Sequence, residues 1–145
     1  RFGNVFGEGS GHKQSVVAKF IKSALAGEPI EIYGDGTQTR DFIYIRDLVN
    51  AVFAAATRPG VGGEVFQIAA AREMTLLELV SCLTDVFKEA GLPEPNISHA
   101  PLPQGDVARN FSDTSKAQSL LQWRPEYDIK GGLRQTLDYF AKSRT

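Results

Sequence analysis

Apolar residues along the chain change their spacing several times, and each change marks an element. Val16, Val17, Phe20, Ile21, Ala24 and Leu25 recur at helical spacing, with Gly27 and Pro29 behind them as stop signals. Ahead of them, residues 1–6 read as a strand end, broken by the glycine-rich Gly7-Glu8-Gly9-Ser10-Gly11. Residues 30–33 form a short strand candidate, followed by the turn-forming Gly34-Asp35-Gly36, and residues 41–45 are extended and apolar on both faces. Residues 48–57 are apolar nearly all round, which predicts a deeply buried helix, with Asp47 placed to cap it.

Beyond the loop at residues 59–63, residues 64–69 read as a buried strand. Thr75 and Glu78 have capping-box spacing ahead of Leu76, Leu77, Leu79, Val80, Leu83, Val86 and Phe87, and Gly91 and Pro93 close that helix. Residues 96–100 are a further strand candidate, and a short helix is expected near 115–121. Pro125 breaks the chain before a last amphipathic helix marked by Leu133, Leu137, Phe140 and Ala141. Strands alternating with helices predict an α/β fold. Most polar residues fall in loops at 4–11, 34–40 and 101–110, where function more often resides.

Sixteen basic and seventeen acidic residues leave a net charge of −1, with no basic cluster that would suit nucleic acid or an anionic membrane. No run approaches the ~20 apolar residues of a membrane span. The one cysteine, Cys82, cannot form an internal disulfide; it suits a reducing, cytoplasmic setting and, mid-helix, a small core role. His12 and His99 stand alone, without a metal-ligand partner at suitable spacing. The chain opens at Arg1 and its only methionine is Met74, so it is read as a segment of a longer product.

Three segments are not explained by packing alone: Arg1-Phe2-Gly3-Asn4-Val5-Phe6-Gly7; the run from Ile32-Tyr33-Gly34-Asp35-Gly36 through Thr39-Arg40-Asp41 to Arg46-Asp47; and Gln104-Gly105-Asp106-Val107 with Asp113-Thr114-Ser115-Lys116 and Trp123-Arg124-Pro125. Their order and spacing resemble the C-terminal, substrate-binding half of NAD-dependent nucleotide-sugar epimerases and dehydratases, members of the extended short-chain dehydrogenase/reductase family. The resemblance runs from residue 1 to about residue 140. It implies a small mixed α/β substrate domain plus the last strand and helices of a Rossmann-type sheet. It also implies that the NAD-binding domain lies outside this chain, so that all 145 residues form the nucleotide-sugar-binding region.

By that resemblance Arg40 contacts the diphosphate of a sugar nucleotide, a role its rigid fork of donors suits. The alternative is an internal ion pair with Asp41 or Asp47. Asn4 matches an amide near the diphosphate, or else ties down its own loop. Ile32 and Tyr33 match a segment lying along the base, Val16 a residue packed on it, and Asp106 the carboxylate that accepts from the ribose hydroxyls. Each has a packing or turn alternative. One departure bears on substrate: an arginine usually stands two residues before the glycine of the last motif, and here that position is Pro103. Arg109 is a candidate substitute.

The resemblance implies a UDP- or dTDP-sugar ligand and NAD in the intact protein. This chain has neither a dinucleotide glycine fingerprint nor a tyrosine followed by lysine four residues later. An epimerase of the UDP-glucose 4-epimerase kind is expected, ahead of a 4,6-dehydratase or decarboxylase. A non-catalytic sugar-nucleotide-binding module is the alternative from another class. The chain alone is expected to be inactive and to self-associate.

Overall fold

A computed structural model describes residues 1–12 and 15–142. Its elements run β1 (Asn4–Phe6), a 3-10 turn (Ser10–His12), α1 (Val16–Leu25), β2 (Ile30–Tyr33), β3 (Thr39–Arg40), β4 (Phe42–Tyr44), α2 (Ile45–Thr57), β5 (Met74–Thr75), α3 (Leu76–Glu89), β6 (Ile97–Ala100), α4 (Ser115–Leu120) and α5 (Ile129–Lys142). The expected mixed α/β class is observed.

β1 runs parallel to β4, with Asn4 opposite Phe42 and Phe6 opposite Tyr44. On its other side the Gly3 amide donates to Ile68 and the Ile68 amide to Arg1. β2 and β6 pair in parallel from Ile30–Ile97 to Tyr33–Ala100, and β3 and β5 form a two-residue antiparallel pair. Strand alternation sorts the apolar side chains between two cores. Phe6, Phe42 and Tyr44 join α1, α3 and α5 in the first, which also holds Ile30, Ile32, Leu79, Leu83, Phe87, Leu133 and Leu137. Ile43 instead turns to a second core with Leu48, Ala51, Phe66, Ile68, Leu121 and Trp123. Cys82 is half-buried against the first core, as its position mid-helix predicts.

The capping box at α3 forms as expected. Thr75 Oγ1 accepts from the Glu78 amide at 3.1 Å while Glu78 accepts from the Thr75 amide at 2.7 Å. Three other expectations need correction. Residues 64–69 do not form a strand; only Ile68 makes a β-bridge, to Phe2. Asp47 does not cap α2, which begins two residues earlier behind Tyr44. Its buried carboxylate accepts instead from the amides of Glu126 (2.9 Å) and Tyr127 (3.2 Å), and its carbonyl accepts from Trp123 Nε1 at 3.0 Å. This explains Trp123-Arg124-Pro125 as a structural tether. Nor is α2 buried all round, because Val49, Val52 and Phe53 stay 57%, 55% and 69% exposed.

Those three side chains share one helical face, and Phe53 adjoins Pro59 and Leu120 in a shallow apolar cleft. At micromolar concentration the chain is therefore expected to self-associate, and Phe53→Glu to shift it toward monomer in sedimentation velocity. A monomeric unaltered chain that binds apolar dye weakly would show that this face needs no cover. None of the helices among the described residues is long and apolar enough to cross a membrane.

Candidate functional site

A cavity of about 560 Å³ opens between α1, the start of β1, and the loop at residues 101–110, within the range of small-molecule sites. Asn4, Val16, Tyr33, Arg40 and Asp106 all line it. These five side chains come from separate stretches of sequence, and tertiary structure alone brings them to one place. Ile32 does not reach the cavity with its side chain, which is fully buried in the first core; it anchors the strand that presents Tyr33.

Arg40 is the centre of the polar wall. Its Nη2 lies 2.5 Å from Asp106 Oδ1, and Nη1 donates to the carbonyls of Val107 and Thr39. The pair Arg40–Asp41 or Arg40–Asp47 does not form. Asp41 is fully buried and accepts from the amides of Ala70 (2.8 Å) and Ser112 (3.1 Å), and Asp47 holds the amides named above. Burial pushes the Asp41 carboxyl up despite these backbone donors. Asn4 Nδ2 reaches the Asp41 carbonyl only at 3.5 Å, a long bond that a better acceptor would displace.

Tyr33 is held from the far side by Lys19. The ammonium sits 5.0 Å from the ring centroid, donates to Tyr33 Oη at 3.3 Å and to Glu31 at 3.1 Å. The hydrogen bond to Glu31 is the main cause of the raised Lys19 pKa, so the cation persists. Two polar lining residues escaped the sequence reading. Gln38 is buried and donates from Nε2 to the Tyr33 carbonyl at 2.7 Å. Ser15, immediately ahead of α1, has a buried hydroxyl with no hydrogen-bond partner among the described residues. Its only signal was its place one residue before a helical stripe.

Arg109 does not take the place of the missing arginine in this structure. It lies outside the lining of the cavity and makes a two-pronged pair with Glu73, Nε–Oε1 2.7 Å and Nη2–Oε2 2.8 Å. Thr39 Oγ1 donates to the same carboxylate at 2.6 Å. The Arg109 bond first, then that from Thr39, holds the Glu73 carboxyl down to about 2. A depressed carboxyl favours the folded state above its unfolded value near 4.5, and that contribution disappears as pH falls through about 2. Protection of the Val107 and Asn110 amides, taken relative to intrinsic exchange at each pH, is therefore expected to fall progressively from about pH 4.5 to about 2. Protection that stays constant across that window would contradict the pairing.

The glycine-rich loop has a packing explanation. Gly7 adopts φ 139°, and a Cβ there would collide with Ile45. Glu8 binds Tyr44 Oη (2.6 Å) and Arg46 (3.0 Å), and these bonds outweigh burial to lower its pKa. The glycines lead into a single 3-10 turn, and Ser10 Oγ donates back to the Gly7 carbonyl. This is not the strand–glycine–helix cradle of a dinucleotide pyrophosphate, so the loop does not fit NAD. Asp113 binds the Ser115 amide at 2.8 Å and starts α4, a structural role. His99 contacts the Gly34 carbonyl, and no group of metal-ligating side chains occurs among the described residues.

Residues 1–69 match the family model described as the NAD dependent epimerase/dehydratase family. The chain is 33% identical over 125 residues to the UDP-glucose 4-epimerase of Mycolicibacterium smegmatis, covering 86% of this chain and 38% of that protein. The crystal structure of UDP-glucose 4-epimerase from Thermotoga maritima, with UDP-glucose, superimposes with a TM-score of 0.87 at 32% identity, covering 100% of this chain and 46% of that one. The chain belongs to the NAD-dependent epimerase/dehydratase family. UDP-glucuronic acid 4-epimerase from Bacillus cereus, in complex with UDP-glucuronic acid and NAD, gives a TM-score of 0.86 at 30% identity over 99% of this chain and 44% of that one. Other relatives are dTDP-glucose 4,6-dehydratases and UDP-glucuronic acid decarboxylases. The chain thus has the fold of part of an extended short-chain dehydrogenase, and it spans less than half the length of these epimerase relatives and structural neighbours.

Proposed function

We propose that this chain binds the nucleotide diphosphate of a sugar nucleotide as the substrate-binding region of an NAD-dependent nucleotide-sugar epimerase of the UDP-glucose 4-epimerase kind. The observation that carries the reading is the convergence of Asn4, Val16, Tyr33, Arg40 and Asp106 on one cavity. The chemistry is graded along its wall. Tyr33 and Val16 offer an aromatic face and an apolar surface to a base. Asp106 offers a carboxylate to ribose hydroxyls, and Arg40 and Asn4 offer donors to phosphate oxygens. Structural neighbours that contain UDP-glucose or UDP-glucuronic acid support a UDP-sugar as the ligand.

NAD in the intact protein is held, on this reading, mainly by polypeptide outside these 145 residues, since the loop at Gly7 does not form its cradle. When bound there it supplies the redox chemistry. This chain's residues fix the position of the sugar by gripping the nucleotide, so that binding energy away from the reacting carbon orients it. Calorimetric titration with UDP, dTDP and inorganic phosphate tests the binding role. Saturable binding of a nucleoside diphosphate above that of phosphate is the expected result, and equal weak heats for all three would refute it. The chain by itself is expected to produce no NADH from NAD and a panel of UDP- and dTDP-sugars. Growth of the NADH absorbance above the no-protein control would overturn that expectation.

A further inference from the structure

The loop at residues 101–110 crosses the cavity mouth as a strap, and it is fastened at two places. The inner tie faces the cavity: Arg40 holds Asp106 and the Val107 carbonyl. The outer tie lies outside the cavity lining: Glu73 takes both prongs of Arg109 and the hydroxyl of Thr39. Between them the Thr39 amide donates to the Ala108 carbonyl at 2.9 Å, and the Asn110 amide reaches Thr39 Oγ1 at 3.4 Å. Thr39, in β3 one residue before Arg40, therefore bonds both to the strap and to Glu73 of the outer tie.

The two ties respond differently to a ligand. A guanidinium that turns toward a diphosphate weakens its hold on Asp106, because its donors are shared between carboxylate, carbonyl and phosphate. Thr39, Glu73 and Arg109 do not line that cavity, and Arg109 lines only an adjoining cleft with Asp106, so a ligand confined to the cavity leaves the outer tie intact. We propose that the Glu73–Arg109 pair, with Thr39, is an outer clamp on the 101–110 strap that keeps Asp106 over the nucleotide cavity once Arg40 engages the ligand. The inference rests on the nucleotide-binding role proposed above and adds to it two positioning residues, Glu73 and Arg109. Arg109 is 72% exposed, so the pair contributes little to global stability. Its effect falls on the strap, which has few other bonds to the body of the protein. The same geometry explains why Arg109 does not serve as a second phosphate ligand: its fork is already matched to a carboxylate that also serves Thr39.

The test combines UDP calorimetry with hydrogen exchange on the unaltered chain and on Glu73→Gln, Arg109→Gln, Asp106→Asn and their pairs. Glu73→Gln is expected to lower UDP affinity about 3- to 5-fold, and the Glu73→Gln/Arg109→Gln pair no further, as for one shared interaction. Exchange of the Val107 and Asn110 amides is expected to quicken while α3 and α5 keep their protection. In the Asp106→Asn background Glu73→Gln is expected to change affinity little, since the group being positioned has lost its charge. Unchanged strap exchange, or an equal affinity loss with and without the Asp106 carboxylate, would overturn the clamp. Binding that depends on Arg40 but not on Glu73 would overturn the clamp alone. Failure of the unaltered chain to bind UDP would remove the nucleotide role and the clamp with it.

Discussion

Replacing Arg40 with alanine is expected to lower UDP affinity by about 1.5–3 kcal/mol, the range for hydrogen bonds to a charged group and roughly 10- to 150-fold in Kd. The guanidinium is the single arginine that lines the cavity among the described residues. Pro103 stands where the motif resemblance implies a second arginine, and Arg109 is held by Glu73. Truncation also leaves Asp106 without its cation, which adds repulsion toward an incoming diphosphate. Arg40→Lys keeps the charge but loses the planar fork and the bond to Val107, so an intermediate affinity is expected. Calorimetry on variants that retain the native melting temperature is the check. Equal affinity for the unaltered chain and Arg40→Ala would remove Arg40 from the site.

The largest effect on stability is expected at Asp47. Its side chain joins the first turn of α2 to the segment before α5, across a sequence gap of 79 residues. Alanine would leave the amides of Glu126 and Tyr127 without their acceptor in a partly buried place, costing about 2–4 kcal/mol. For a domain of this size that is a fall in melting temperature of roughly 6–12 °C. An asparagine side chain would keep one acceptor oxygen and lose less, so Asp47→Asn should melt between the two. An Asp47→Ala protein that melts within about a degree of the original would show that water replaces the carboxylate at no cost.

What was legible in the sequence was local. α1, α3 and α5 were visible because their apolar stripes repeat within a turn or two, and the α3 cap because Thr75 and Glu78 are three residues apart. α2 departs from its expected burial because apolar residues all round predict burial only if something covers every side. Here its outer face is covered by nothing within the described chain. β3 and β5, two residues each, are too short to carry a period. Sequence suggests Asp41 as an ion-pair partner of Arg40 and Asp47 as a helix cap, since their actual partners lie 29 and 71 residues from Asp41 and 79 from Asp47. The outer clamp was invisible for the same reason, with Glu73 and Arg109 separated by 36 residues.

The candidate site was legible only through motif resemblance. No spacing rule connects Asn4 to Arg40 or Arg40 to Asp106, and it is the fold that makes them neighbours. The resemblance does not show that Arg40 and Asp106 bind one another, nor that Ile32 turns its side chain inward.

The most direct measurement is a backbone and side-chain NMR titration of the 145-residue chain with UDP. The account predicts saturable shifts that cluster on Asn4, Val16, Tyr33, the Arg40 guanidinium and Asp106, with the outer face of α2 unmoved. Saturable shifts that centre anywhere else, or no shift at millimolar UDP, would contradict it.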